Sequence, residues 1–232
     1  MTGPVPVRGR TARHQQLPEE VASYVRERII SGEVKPGEFL RVEPIAEAVG
    51  VSNTPVREGL LALRSEGFVE LVPRRGFTVV SFTRQDIRDL FWVQAQLAGE
   101  LAGRAAKNIT REQLAGLEAH VEDYGKAVAV RDEERIANAG HLFHRQVNIA
   151  AESRRLALLL GGVVSQLPNR FYARFEGRTA HTHQAHARIL DAIRTRSARK
   201  AQSLMAEHML EGADVLIDLL EQRGVWSQET SA

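Results

Sequence analysis

Apolar positions along the chain change period twice, and the changes outline its organisation. From about Pro18, Val21, Tyr24, Val25 and Ile29 recur at spacings of three and four, which predicts an amphipathic helix ending at Ser31-Gly32. Glu19 and Glu20 suit the first turn of such a helix. Lys35-Pro36-Gly37 then makes a turn. A second helix is predicted over Glu43–Val49, closed by Gly50, and a third from just after Ser52 to about Ser65, closed by Gly67. The period then drops to two. Phe68–Val72 and Phe77–Val80 read as short strands joined by the tight turn Pro73-Arg74-Arg75-Gly76.

From Thr83, a capping-box-like start, the helical period returns and persists to Gly224. Breaks fall near Asn108–Thr110, Val130–Asp132, Glu152-Ser153, Leu167–Asn169, Gly177–Ala180 and Thr195–Ser197. The expected fold is therefore mostly α: a winged helix-turn-helix domain over residues 17–82, then an all-helical bundle of six or seven helices over 83–232. Residues 1–16, with Arg8, Arg10 and Arg13 and no acid, read as a flexible basic arm.

The spacing in residues 42–63 points to DNA. Ala46 is small where two helices would touch, and Gly50 falls where a sharp turn favours positive φ. Val56, with Val49, Val51, Leu60 and Leu63, would brace the third helix from behind. Ser52 is placed to cap that helix, and Pro55 is tolerated in its first turn. Ser52, Asn53, Thr54 and Arg57 are left on the open N-terminal turn, the part of such a motif that enters the major groove. Arg57 can fork onto guanine, Asn53 can read adenine or bind phosphate, and Thr54 can do likewise or touch a thymine methyl. Arg74, Arg75 and Gly76 at the hairpin tip suit phosphate or the minor groove, and Arg41 is a further phosphate candidate.

Composition adds limits. The 232 residues contain no cysteine, so disulfides, thiolate zinc sites and a cysteine nucleophile are excluded. No apolar run is long enough to span a membrane and no signal-peptide core lies near the N-terminus, so a cytoplasmic protein without membrane partners is expected. The net charge is only +2, but among 31 cations just Lys35, Lys107, Lys126 and Lys200 are lysine. The others are arginine, better suited to forked contacts with phosphate and guanine.

The helical half carries a second candidate chemistry. Its first helix, from Arg84 to about Lys107, has an apolar stripe of Ile87, Leu90, Phe91, Leu97, Leu101 and Ala105, interrupted by Gln94. A buried amide there needs either a neighbouring side chain or a polar ligand. His144, His186 and His208 fall on or beside apolar stripes of three separate helices. Each alone reads as a core histidine; together they also suit one shared metal, because neutral imidazoles converge well on a cation.

Ile30-Ser31-Gly32-Glu33-Val34-Lys35-Pro36-Gly37-Glu38-Phe39-Leu40 and Ile45 through Leu60 resemble the winged-helix domain of GntR-family regulators, as do Leu63, Glu66–Val69 and Arg75-Gly76. The helical half beyond residue 83 resembles the all-helical FCD effector domain. The resemblance implies a homodimeric, ligand-responsive transcription regulator, in most cases a repressor, acting on a palindromic double-stranded operator. It implies DNA contacts at Ser52, Asn53, Thr54, Arg57 and Gly76. The family's usual Glu and frequent Arg are replaced here by Val42 and Glu43.

In the metal-binding FCD proteins one helix carries an acid followed four residues later by His, with two more His on later helices. His144, His186 and His208 match the three histidine positions, but Gly140 stands where the acid belongs. A three-His site for zinc, manganese or nickel, open to water or ligand oxygen, and a metal-free pocket are both compatible with these residues. Gln94, His144, His186 and His208 are the candidate ligand-binding set. Gln94 also replaces the family's pocket arginine, so the small-molecule effector, an organic acid or another metabolite, need not be the usual carboxylate.

Two rival readings differ in kind. Three histidines with open coordination resemble a hydrolytic zinc centre. Yet Glu207, next to His208, is expected to point away, and neither a Walker loop nor a nucleophile elbow is present. A helical scaffold whose winged head touches protein is the other. Salt separates it from a DNA binder, whose log affinity falls with log salt by about −0.9 per neutralised phosphate.

Overall fold

A computed structural model describes residues 8–167 and 180–226, with residues 8–15, Glu133, Ala180 and His181 described by backbone alone. The N-terminal elements are α1 (Arg8–Ile30), β1 (Phe39–Leu40), α2 (Val42–Val49), α3 (Asn53–Ser65), β2 (Val69–Val72) and β3 (Gly76–Val79). The helical elements are α4 (Arg84–Asn108), α5 (Arg111–Val130), α6 (Glu133–Ala150), α7 (Arg154–Val164), α8 (Ala180–Arg194) and α9 (Ala198–Gln222). The chain divides into two units. One holds residues up to Thr83 together with those from Gln222 onward, and the other holds Arg84–Glu221.

In the N-terminal unit, α1 begins at Arg8, and Pro18 lies inside it. The basic arm expected over residues 1–16 is therefore helical from residue 8, and residues 1–7 lie outside the described residues. A proline loses only its own N–H and crowds the turn before it, so it is not a sufficient mark of a helix start. The sheet has three strands in the order β1-β3-β2, all antiparallel, with Phe39 opposite Thr78 and Val69 opposite Val79. The two-residue β1 carries too little alternation to be legible in the sequence.

This unit closes on Val21, Val25, Ile29, Ile45, Val56, Leu60, Leu63, Phe68, Phe77 and Val79, all buried. Helices α1 and α3 approach closely at Gly59, where a Cβ would stand 2.7 Å from the Pro18 carbonyl oxygen. Beside this contact Arg26, 2% exposed, donates to both carboxylate oxygens of Glu66 at 2.9 and 3.0 Å. Burial pushes the Glu66 carboxyl up, against the opposing pull of Arg26.

The segment after α9 folds into this same unit, although the sequence pattern assigns it to the helical half. Trp226, 5% exposed, donates its indole N–H to the Phe82 carbonyl at 2.8 Å, and Val225 packs on Gly32. The apolar pattern of a helix does not reveal which core its last residues join.

The helical unit has six helices among the described residues; of the expected breaks at Leu167–Asn169 and Gly177–Ala180, residues 168–169 and 177–179 lie outside them. Thr110 opens α5 with a capping box, its hydroxyl accepting from the Gln113 N–H while the Gln113 side chain accepts from Thr110 N–H. Helices α4 and α9 pack at very short range, since a Cβ on Gly212 would lie 2.5 Å from Phe91. The core joins Leu101 of α4, Leu117 of α5, Phe143 and Val147 of α6, Ile189 and Ile193 of α8, and Leu204 and Met205 of α9. The expected stripe of α4 is largely in place, with Ile87, Phe91, Leu101 and Ala105 buried and Leu90 and Leu97 half-buried.

Arg26→Ala is expected to destabilise the N-terminal unit by about 3 kcal/mol, because it strands a half-buried carboxylate. Chemical denaturation followed by circular dichroism measures it; a loss below about 1 kcal/mol would mean that the pair is dispensable.

Candidate DNA-reading head and histidine centre

The turn between α2 and α3 is shaped by Gly50, at φ 75° and ψ 36°. Both Gly50 N–H and Val51 N–H donate to the Ala46 carbonyl, at 2.9 and 3.0 Å. Val56, Leu60 and Leu63 are fully buried behind α3, while Val49 and Val51 are only half-buried. Ser52 takes the N-cap position with extended backbone, but its side chain makes no cap hydrogen bond. Ser52, Asn53, Thr54 and Arg57 are all exposed, and so are Arg41, Arg74 and Arg75; Gly76 is half-buried. Among the described residues no acid pairs with Arg41, Arg57 or Arg74. The open end of α3 thus presents polar side chains and an uncompensated guanidinium, braced by an apolar back.

In the helical unit His144 on α6, His186 on α8 and His208 on α9 meet. His208 Nε2 lies 3.2 Å from His186 Nε2 and 3.3 Å from His144 Nε2, and one ring nitrogen from each residue falls within 4.8 Å of the others. His186 and His208 are buried and His144 half-buried. Two features of this cluster suit a cation. His208 Nε2 carries either one proton or one lone pair, so it cannot make good hydrogen bonds to two neighbours at once. Nitrogens about 2.0–2.1 Å from a zinc ion at tetrahedral corners lie roughly 3.3 Å apart, which matches the two short separations.

Aromatic packing holds the His186 ring. Phe143 stacks on His186 with centroids 4.2 Å apart, and Tyr124 meets the same ring edge-on at 5.1 Å. Sequence reasoning missed Tyr124 as a neighbour of this centre; nothing in the spacing of α5 sets it apart from an ordinary core aromatic. Gly140 leaves the cluster without a carboxylate on α6, and Glu207 is exposed, engaged by the Ser203 hydroxyl at 2.8 Å. A cavity of about 1150 Å³ opens beside His144, lined also by Gln94, Phe91, Leu160, Met205 and Met209. Gln94 is fully buried, so the polar break in the α4 stripe lies at the cavity wall.

Comparison with known proteins now decides the family. Residues 8–79 match the description "Bacterial regulatory proteins, gntR family", and residues 89–211, more than half of the chain, match the FCD domain. The chain is a GntR-family regulator of the FCD group. It is 24% identical over 201 residues to the uncharacterized HTH-type transcriptional regulator YdhC of Bacillus subtilis, covering 85% of this chain and 90% of that protein. It is 25% identical over 208 residues to the gluconate operon transcriptional repressor of the same organism, covering 87% and 84%. The solved structure of E. coli McbR/YncC superposes with a TM-score of 0.64 at 23% identity, over 90% of this chain and 98% of that one, a likeness of fold.

Family membership makes the regulator a helix-turn-helix transcription factor with a ligand-binding FCD domain, and its relatives are regulators, not enzymes. No described helix is long and apolar enough to cross a membrane.

Burial holds His186 well below the ordinary histidine value of 6.5, and the neighbouring His144, His208 and His183 push the same way. The folded protein therefore keeps this ring neutral, while the unfolded chain takes up a proton near 6.5. Stability from this group is thus complete above that value and declines as the pH falls below it. Metal-free protein is expected to lose thermal stability between about pH 7.5 and 5.5, and His186→Leu to lose less over the same interval. Parallel melting-temperature curves for the two proteins would contradict this.

Proposed function

We propose that the regulator binds a palindromic double-stranded operator as a homodimer and acts as a repressor whose DNA affinity responds to a small molecule held in the FCD cavity. The observation that carries the reading is the exposed N-terminal turn of α3, with Arg57 unpaired among the described residues and the helix fixed from behind by Val56, Leu60 and Leu63. Arg57 would fork onto guanine, with Ser52, Asn53 and Thr54 beside it on bases or phosphates. Arg41, Arg74, Arg75 and the Gly76 backbone would hold the duplex backbone. Leu159 on α7 and Trp92 on α4 are large apolar side chains left exposed, which a second copy of the chain would cover in such a dimer. A chromosomal operator implies a cytoplasmic protein.

His144, His186 and His208 fit a divalent metal such as zinc, manganese or nickel through Nε2, with the remaining positions open to water or ligand oxygen. When bound, such an ion supplies a fixed positive charge that can hold an oxygen donor of the effector. The protein's part is to bring the three rings together, keep them neutral by burial, and admit a ligand beside His144 and Gln94. The site has no acid at Gly140 and no arginine at position 94, but Arg145 and Arg154 line the cavity, so a carboxylate or another acidic effector can still be paired there.

Helix α9 gives the cavity a path to the head by chain continuity. It carries His208 and runs to Gln222, and the next residues pack in the N-terminal unit through Val225 and Trp226. A ligand that moves α9 would change operator affinity only by its preference for one arrangement over the other.

Arg57→Ala is expected to weaken binding to a duplex selected by the wild-type protein by about 1–3 kcal/mol. An unchanged affinity and footprint would remove Arg57 from base reading. Protein purified without chelator or affinity resin is expected to carry metal by elemental analysis, and His186→Ala to carry none. Metal-free wild-type protein would leave the cavity as a purely organic site.

A further inference from the structure

The two arginines at the tip of the wing are not equivalent. Arg74 takes the left-handed conformation, φ 63°, and meets neither an acid nor a ring among the described residues. The Arg75 guanidinium carbon lies 4.4 Å from the centroid of the Phe39 ring. Phe39 is itself 36% exposed, an unusual place for a phenyl ring with no other assigned role.

Both ends of this pair are anchored by backbone. Phe39 sits opposite Thr78 in the β1–β3 ladder. Gly37 N–H donates to the Val79 carbonyl at 2.9 Å, and Val79 N–H to the Glu38 carbonyl at 3.0 Å. Across the hairpin, Arg75 N–H donates to the Val72 carbonyl at 3.1 Å, closing the turn from which its side chain leaves. A guanidinium lying on a ring keeps its in-plane N–H groups available while one face is covered. Its rotamers are already restricted, so less freedom is lost when those donors meet a phosphate.

We infer that Phe39 is a positioning residue for DNA: its ring holds Arg75 ready for the duplex backbone, making Arg75 the fixed contact of the wing and Arg74 the adaptable one. This rests on the reading of the wing as a DNA contact. Phe39 is uncharged, so its replacement leaves the protein's charge unchanged and acts through the placement of Arg75.

The test uses the full-length chain and a duplex selected from a random pool by the wild-type protein. Phe39→Leu is expected to weaken binding about two- to fivefold, the scale of an exposed cation–π contact, and Phe39→Trp to restore it. In an Arg75→Gln background Phe39→Leu is expected to change nothing, whereas in an Arg74→Gln background its full effect persists. Comparing the same Phe39 change in two backgrounds separates positioning from any loss of stability. Binding unaffected by Phe39→Leu overturns the inference. So does an equal effect in the Arg75→Gln background, which would mean that Phe39 touches DNA itself or merely supports the sheet. If Arg57→Ala weakens binding but Phe39→Leu does not, only this inference fails. If the wild-type protein selects no duplex, the DNA reading fails and takes this inference with it.

Discussion

The helical unit is organised around a point where three histidines converge. Three imidazoles from three helices are brought within hydrogen-bonding distance in apolar surroundings, and His208 faces two of its kind at once. Neutral rings cannot share their protons and lone pairs fully in that arrangement, and a second positive charge there is opposed by burial and by its neighbours. A cation would resolve the conflict, because it would accept a lone pair from each of the three rings. The aromatic packing of Phe143 and Tyr124 around His186 gives the ring a fixed direction where hydrogen bonds from surrounding groups usually would.

The N-terminal unit is governed by a different economy of contacts. Most of its apolar side chains pack behind α3 and the sheet, with Arg26 and Glu66 bridging α1 and the end of α3. What remains outward on the first turn of α3 is small, polar and uncommitted, down to a Ser52 side chain that occupies the cap position without capping. A reading surface of this kind depends on rigidity behind it and on free donors in front. Chain continuity links it to the histidine centre, because α9 holds His208 and the residues after it place Trp226 within the N-terminal unit.

Much of this is legible in the sequence because it rests on local rules. The Ala46–Gly50–Val56 spacing places the turn, the change of period places the hairpin, and three histidines on apolar stripes point to a common centre. Where the sequence misleads, the deciding physics is non-local. Pro18 looks like a helix start, yet the preceding turn tolerates it. Strand β1 is two residues long and exists only because β3 pairs with it. The pattern that runs to Gly224 is that of a terminal helix, but Val225 and Trp226 just after it are claimed by another core. Tyr124 and Phe39 share this character, since their partners are far away in the chain and no periodicity names them.

Coupling between the histidine centre and the DNA-reading head is the central claim. Titrating metal-depleted, full-length protein with zinc by calorimetry, in the presence and absence of a saturating selected duplex, tests it most directly. Coupling requires zinc affinity to differ between the two titrations, and DNA affinity measured with and without zinc to differ by the same factor, as linkage demands. Tight zinc binding that is identical with and without duplex would show that the centre holds the bundle together but tells the head nothing.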